Sequence, residues 1–166
     1  MSWAHVREND PEWDAFVSGN ARGGGLLVFG RITYEMMASY WPSPMAAQND
    51  PIVAERMNNL PKLVFSRSLG KTEWRNARLA KDGLVEEIRR RKAQGKEDMA
   101  IMGSGSLVAQ LTQEGLIDEF QIAIVPVILG EGRTMFEGVT AKPRLKLLSS
   151  RSFDNGNVFL RYAPTA

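Results

Sequence analysis

Short apolar runs alternate with amphipathic segments along this 166-residue chain. Continuous apolar runs predict strands at 26–29, 63–65 and 99–102 that are covered on both faces, with a longer strand at 120–129 and a weaker one at 77–80. Between them, apolar residues at helical spacing predict helices at 33–40 and 51–58, and two more with the stripes Leu84, Val85, Ile88 and Leu107, Val108, Leu111, Leu116. This order of elements predicts an α/β sheet with crossover helices.

The C-terminal part of the chain has a different pattern. Two strand-like stretches, 145–153 and 158–162, flank Asp154-Asn155-Gly156-Asn157, a segment whose residues tolerate positive φ. We therefore expect an antiparallel hairpin there. The sequence contains no internal repeat and no break in composition, so we expect a single domain over residues 1–166.

Composition and charge disfavour several classes of function. The 21 basic and 19 acidic side chains are mixed along the chain, apart from Arg89-Arg90-Arg91-Lys92, a run that favours a solvated helix face over a nucleic-acid patch. The lack of cysteine and the single histidine, His5, disfavour a metal site and a Ser-His-Asp triad. No apolar stretch approaches the roughly 20 residues that span a bilayer, and the N-terminus lacks signal-peptide features. We expect a cytoplasmic protein with no nucleic-acid or membrane partner.

Small and basic residues follow the predicted strands, at the sheet edge where ligands bind in open α/β proteins. The segment from Gly30 to Tyr34 turns a strand into a helix, so the N–H groups of the first helical turn, with Arg31 beside them, can hold an anion. Thr33 could donate its hydroxyl to a phosphate or could cap the helix. The two alternatives are equally compatible with the sequence.

A second such segment comprises Gly103, Ser104, Gly105, Ser106 and Leu107. Its glycines let phosphates approach the backbone, and its serines can donate hydrogen bonds. It is not the G-x-G-x-x-G fingerprint, because position 108 is valine, and this disfavours a standard Rossmann domain. Ser66 and Arg67 combine a hydroxyl and a guanidinium, which suits the 2′-phosphate of NADPH but also fits a surface turn.

Together these segments resemble the dihydrofolate reductase-like fold, and within it the reductase C-terminal domain of riboflavin biosynthesis enzymes. The resemblance covers residues 24–163. It rests on Gly30-Arg31-Ile32-Thr33-Tyr34-Glu35 with Tyr40-Trp41-Pro42, Lys62-Leu63-Val64-Phe65-Ser66-Arg67, Gly103-Ser104-Gly105-Ser106-Leu107, and 116–119 running into 125–136. It implies a three-layer α/β fold with a mixed, mostly parallel sheet, flanking helices and a C-terminal antiparallel hairpin.

The resemblance also implies a function and roles for particular residues. NADPH is the implied cofactor, and the implied reaction is hydride transfer to a ring or imine carbon of a pterin or pyrimidine. Gly30, Arg31 and Thr33 would face the cofactor phosphates, Ser66 and Arg67 the 2′-phosphate, and Gly103 to Leu107 the pyrophosphate. Val125, Pro126 and Val127 would line the substrate cleft. With the apolar run 122–129, the resemblance further implies a homodimer.

The sequence departs from this family in two ways. The zinc-binding elements of the deaminase half of riboflavin enzymes have no counterpart, and neither does the first strand with its Ser-Leu-Asp-Gly-like loop. In this fold that strand lies between the strands predicted at 99–102 and 120–129, and residues 1–8 hold too few apolar residues to replace it. We expect the natural product to extend upstream of Met1, or the slot to be filled by rearrangement or by another subunit, with weak hydride transfer by this exact chain.

The reaction also needs a proton donor. Asp10, Glu12 and Asp14 are the local carboxylates, and of these we predict Asp14 as catalytic, because Asp10 is also suited to an N-cap and Glu12 to a first helical turn. Trp13, Phe16, Trp41 and Phe136 could stack on a heterocycle or belong to the core. Without an unambiguous acid, two hypotheses stand: an NADPH-dependent reductase, and a non-catalytic nucleotide-binding module of the same fold.

Overall fold

The computed structural model describes residues 10–21 and 25–165. Helices and strands follow one another along the chain as α1 (Pro11–Ala21), β1 (Leu26–Gly30), α2 (Arg31–Tyr40), α3 (Pro44–Asn49), α4 (Pro51–Asn59), β2 (Lys62–Phe65), β3 (Ala77–Leu79), α5 (Leu84–Gln94), β4 (Met99–Ile101), α6 (Gly105–Gln113), β5 (Phe120–Ile124), β6 (Leu145–Ser152) and β7 (Val158–Pro164). The α/β class predicted from the sequence is confirmed.

The first four strands form a parallel sheet in the order β3-β2-β1-β4. Its central strand β1 is buried on both faces because successive side chains point to opposite sides. Leu27 and Phe29 pack on one side with residues of α2 and α4, including Tyr34, Val53 and Met57. Leu26 and Val28 pack on the other side with residues of α5 and α6, including Ile88, Leu107 and Leu111. The sheet therefore lies between two helical layers.

The last three strands form a separate antiparallel sheet in the order β5-β7-β6. The predicted hairpin of β6 and β7 is confirmed, with its turn at 154–157. The prediction of one strand over 120–129 is wrong in its second half, because β5 ends at Ile124. There the N–H of Val127 turns back to the carbonyl of Val125 at 2.8 Å, and Pro126 has no N–H for a ladder.

The mixed sheet expected from the resemblance is therefore divided into two sheets. Among the described residues, β4 pairs only with β1 and β5 pairs only with β7. Helix α1 joins the two sheets: Val17 packs against the side chains of the first sheet, while the Phe16 ring lies 4.7 Å from that of Phe159 in β7. The prediction about residues 1–8 concerns a part of the chain outside the described residues.

Asp10 is the N-cap of α1, as the sequence suggested. Its Oδ1 accepts hydrogen bonds from the N–H groups of Glu12 at 2.9 Å and Trp13 at 3.0 Å, and its Oδ2 accepts one from the N–H of Asn155 at 3.1 Å. The bond from Trp13 contributes most to lowering the pKa of Asp10. This carboxylate therefore fixes both the start of α1 and the β6–β7 turn.

The sequence prediction missed α3, a helix with clear starting signals. Ser43 accepts a hydrogen bond from the N–H of Ala46 at 3.2 Å, and Pro44 occupies the first helical position. A serine followed by a proline marks a helix start, but six residues gave too little periodicity to recognise.

The basic run on α5 belongs to an ion-pair network. Arg91 pairs with Glu87 at 2.7 Å, Arg89 with Glu114 at 2.6 Å and Lys92 with Asp118 at 2.5 Å. Glu87 is buried; burial raises its pKa, but the hydrogen bonds and charges of Arg90 and Arg91 lower it by more. The positive charge of this run is thus largely matched by carboxylates.

None of the helices in the described part of the chain has the length and apolar character needed to span a membrane.

Candidate functional site

Two helices begin at the same edge of the parallel sheet. Helix α2 follows β1 directly, and α6 follows the neighbouring strand β4, so both N-termini lie where the carboxyl ends of these strands meet. Neither Gly30, the N-cap of α2, nor Ser104, the N-cap of α6, makes a side-chain capping hydrogen bond. The N–H groups of both first turns therefore have no side-chain acceptor and are suited to an anion.

The two helix starts touch each other. The N–H of Gly30 donates a hydrogen bond to the Ser104 hydroxyl at 2.9 Å. A Cβ placed on Gly103 would lie 3.5 Å from the methyl carbon of Thr33. Segments some 74 residues apart in sequence thus form one continuous surface of backbone amides and small side chains.

The turn before α6 has two successive residues in the left-handed region. Gly103 has φ +62° and Ser104 has φ +52°. Glycine adopts this conformation freely, whereas serine there costs roughly 1 kcal/mol. The hydrogen bond from Gly30 helps to hold Ser104 in this conformation, which turns the following N–H groups toward the sheet edge.

Thr33 is the third residue of α2, and Gly30 is its N-cap. The alternative in which Thr33 caps the helix is therefore wrong. Its hydroxyl makes no hydrogen bond to another described residue and lies beside Gly103, so it is free to contact a ligand. Arg31, on the same helical turn, pairs with Glu35 at 2.8 Å, with the two side chains 41% and 46% exposed, and such a pair rearranges readily.

Ser66 and Arg67 lie on the other side of β1. Because Phe65 of β2 is paired with Gly30, Ser66 and Arg31 leave the sheet at the same level. The Ser66 hydroxyl accepts hydrogen bonds from the N–H groups of Ser68 at 3.1 Å and Leu69 at 2.9 Å. Ser66 thus fixes a turn, and its neighbour Arg67 is exposed at the edge that holds both helix starts.

Leu107 differs in role from the other predicted residues of its segment. Its side chain is 6% exposed and packs in the core between the parallel sheet and α5. Its N–H donates a hydrogen bond to the carbonyl of Ser104 at 2.8 Å. Both groups are therefore used within the fold. Gly105 and Ser106 supply the N–H groups of this helix start, and Gly105 lies against the backbone of Met135.

The predicted substrate-contacting residues lie on an irregular segment, 125–144, between β5 and β6. Val127 and Ile128 are exposed, the latter by 97%. Pro126 lies against the β6–β7 turn, 3.0 Å from where a Cβ on Gly156 would be. Since Met135 of this segment lies against Gly105, the segment runs from the hairpin turn to the start of α6.

The three carboxylates of the first helix are in different environments. Asp10 is fully used as a cap, Glu12 forms an ion pair with Arg151, and Asp14 is exposed on α1. Neither Glu12 nor Asp14 lies in an apolar pocket, because both side chains are exposed.

The candidate stacking aromatics take part in packing. Trp13 and Phe16 contact Phe153, with ring centroids 4.8 and 5.2 Å away. Trp41 packs against the side chains of the first sheet, and Phe136 lies 5.5 Å from Phe120. Trp41 therefore belongs to the core, whereas Trp13 and Phe16 are only partly buried and Phe136 is 36% exposed.

Tyr34 was not among the predicted site residues, but its buried hydroxyl makes polar contacts beside the site. It accepts hydrogen bonds from the N–H groups of Glu73 and Trp74, both at 3.1 Å. The general tendency of buried tyrosines to find a polar partner was the available signal, although the sequence could not identify that partner.

The RibD C-terminal domain family matches residues 2–159 of this chain. The uncharacterized protein YyaP of Bacillus subtilis (strain 168) is 29% identical over 136 residues, which make up 82% of this chain and 72% of YyaP. This relative has no established activity to carry over.

Two solved structures share the fold. One, from Shewanella sp. PV-4 and described as a candidate riboflavin biosynthesis protein, has a TM-score of 0.77 at 23% identity, covering 100% of this chain and 88% of its own. The other is dihydrofolate reductase from Enterococcus faecalis complexed with NADP(H) and RAB-propyl, with a TM-score of 0.60 at 17% identity over 92% of this chain and 82% of the reductase. The chain thus has a dihydrofolate reductase-like fold and belongs to the RibD C-terminal domain family.

Proposed function

We propose that this protein is an NADPH-dependent reductase that transfers hydride to a heterocyclic substrate of the pterin or pyrimidine type. The observation that carries the proposal is the contact between two uncapped helix starts, joined by the bond from Gly30 to Ser104, with Ser66 and Arg67 at the same edge. Membership in a reductase family and the NADP(H)-bound reductase of the same fold support it.

Each part of this edge matches a part of a dinucleotide. The N–H groups of Gly105 and Ser106 and the hydroxyl of Thr33 would bind the pyrophosphate, with Arg31 supplying positive charge. Arg67 would bind the 2′-phosphate from its exposed position. The bound cofactor would supply the hydride.

The substrate would lie beside the irregular segment 125–144. Val125, Pro126 and Val127 would form an apolar wall against a flat ring. Asp14, or a water beside it, would supply the proton to the reduced bond. The substrate-side roles rest on the family resemblance and remain predictions.

Two measurements test this function. Titration followed by nicotinamide fluorescence should give micromolar binding of NADPH and much weaker binding of NADH. Absorbance at the reduced nicotinamide band should then fall when a folate, a pterin or a ribosylamino-pyrimidine is added. Equal affinity for the two cofactors would contradict the roles of Ser66 and Arg67.

Replacing Arg67 should weaken the binding of NADPH far more than the binding of NADH. Arg67→Ala removes the charge proposed to face the 2′-phosphate, at a cost of about 1–3 kcal/mol, so the Kd for NADPH should rise roughly 5- to 150-fold. The Kd for NADH should change little, since NADH lacks that phosphate. Arg78→Ala is the matched control, because Arg78 is also exposed but lies on β3. An equal loss for both cofactors would contradict the assignment.

A second candidate is a non-catalytic nucleotide-binding module. It is favoured by the carboxylates of α1, because Asp10 and Glu12 are already paired and Asp14 is exposed. Tight NADPH binding without turnover across the substrate panel would support this alternative. Oxidation of NADPH with any of these substrates would contradict it.

We also propose that the protein is a homodimer. Pairing in the antiparallel sheet places Ile124, Leu145, Leu147, Leu160 and Tyr162 on one face, and the first three are 51%, 37% and 48% exposed. An apolar sheet face of this kind can pack on a second copy of itself.

Charged residues on this face should prevent assembly. The double variant Ile124→Lys, Leu147→Lys should sediment as a species of 18.5 kDa at concentrations where the wild type is twice that mass. Ser149→Lys is the control, because Ser149 pairs with Arg161 on the opposite face of the sheet. A wild type that sediments as a monomer would contradict the proposal.

A further inference from the structure

We infer that Tyr34 is a positioning residue. Its hydroxyl holds the loop 66–76, which begins with Ser66 and Arg67, at a fixed distance from the start of α2. The inference rests on the proposed function, because it concerns how two parts of the proposed NADPH site are kept in register. It adds a specificity-determining role for a residue that touches neither part of the cofactor.

The contacts of Tyr34 join two elements. Its side chain is 4% exposed and packs among Phe29, Val64 and Trp74. Its oxygen accepts hydrogen bonds from the N–H groups of Glu73 and Trp74, both at 3.1 Å. A side chain of α2 therefore satisfies two backbone donors of the loop 66–76, and leaving such donors unpaired would be unfavourable.

This loop connects β2 to β3 and begins with the predicted 2′-phosphate residues. Ser66 holds the first turn through the N–H groups of Ser68 and Leu69, and Leu69 packs against the core. Those contacts shape the first part of the loop. Tyr34 adds hydrogen bonds between the C-terminal end of this loop and α2, the helix whose start is proposed to bind the pyrophosphate.

Tyr34 lies on the same helical turn as a residue proposed to contact the cofactor. It follows Thr33 on the first turn of α2, so one helical turn carries both the contact proposed for the pyrophosphate and the anchor of the loop. The two phosphate sites lie on either side of β1, where Phe65 pairs with Gly30. Cofactor groups bound at both sites are sensitive to displacements on the order of 1 Å.

Tyr34→Phe tests the inference, because it keeps the ring and removes only the oxygen. We expect the Kd for NADPH to rise about tenfold and the Kd for NADH to rise less than threefold. The selectivity for NADPH over NADH should therefore fall. Tyr162→Phe is the matched control, because it removes the same atom from a half-buried ring in β7, and it should leave the ratio unchanged.

The selectivity ratio separates positioning from a merely structural role. Unfolded protein raises both apparent dissociation constants equally, so the ratio does not depend on the folded fraction. Leu69→Ala provides a second variant that loosens the loop with the Tyr34 hydroxyl in place, and it too should lower the ratio. An unchanged ratio in Tyr34→Phe would overturn the inference, whatever the result for Leu69→Ala, and leave the proposed function intact. A wild type that binds neither cofactor would overturn both.

Discussion

Gly103→Val should abolish NADPH binding while leaving the protein folded. The backbone at Gly103 has φ +62°, and its Cα faces Thr33 closely enough that an added Cβ would be 3.5 Å from the threonine methyl carbon. The two further methyl groups of valine would cover the surface between the helix starts, where the pyrophosphate is proposed to bind. We expect the Kd for NADPH to rise at least 100-fold.

Gly95→Val is a matched control for the backbone strain. Gly95 has φ +59° at the C-terminus of α5, and a Cβ there would meet nothing within 4 Å. A β-branched residue in the left-handed region should lower stability by about 1–2 kcal/mol at either position. Only the variant at 103 should lose the cofactor. Binding within threefold of the wild type in Gly103→Val, measured by the same titration, would exclude a pyrophosphate at this turn.

The buried strands could be predicted because their environment is uniform. At 26–29 and 63–65 every side chain meets an apolar neighbour on one face or the other, so the sequence is a continuous apolar run. The segment 125–129 is equally apolar in composition but is not a strand, and Ile128 is 97% exposed. Apolar composition predicts burial only where a neighbouring element provides it, and sequence alone does not reveal that neighbour.

The candidate site could be predicted in part. Glycine and serine at strand ends predicted the two helix starts, because those residue types suit sharp turns and exposed amides. The bond between Gly30 and Ser104 and the bonds between Tyr34 and the loop could not be predicted, since they join residues far apart in sequence. Leu107 was predicted as a ligand contact because its segment was treated as a unit, but its helical position turns the side chain into the core.

The burial of Lys62 is the clearest feature that its residue type does not predict. A lysine at the start of a strand predicts an exposed side chain, but Lys62 is 0% exposed. Its Nζ donates hydrogen bonds to the carbonyls of Leu60 at 2.8 Å, Arg75 at 3.0 Å and Asn58 at 3.3 Å, and lies 4.3 Å from the centre of the Trp74 ring. It thereby joins the C-terminus of α4, whose carbonyls favour a cation, to the segment that leads into β3.

Lys62→Met should accordingly destabilise the protein more than most single substitutions. Methionine fills a similar volume but leaves three carbonyls without their donor, at about 1 kcal/mol each, so the free energy of unfolding should fall by about 3 kcal/mol at pH 7. Urea denaturation followed by circular dichroism measures this quantity. Lys81→Met, at an exposed loop position, is the control and should change it by less than about 0.5 kcal/mol.

The effect of Lys62 on stability should also depend on pH. Burial, and to a smaller extent the charge of Arg75, lowers the pKa of Lys62 to about 8, against 10.5 for an unburied lysine. Between these two values the unfolded chain binds more protons at this residue than the folded protein does, so the contribution of Lys62 to stability rises with pH. The difference in unfolding free energy between the wild type and Lys62→Met should therefore be larger at pH 9.5 than at pH 7. A difference that stays constant or shrinks over this interval would show that the pKa of Lys62 is not lowered by folding.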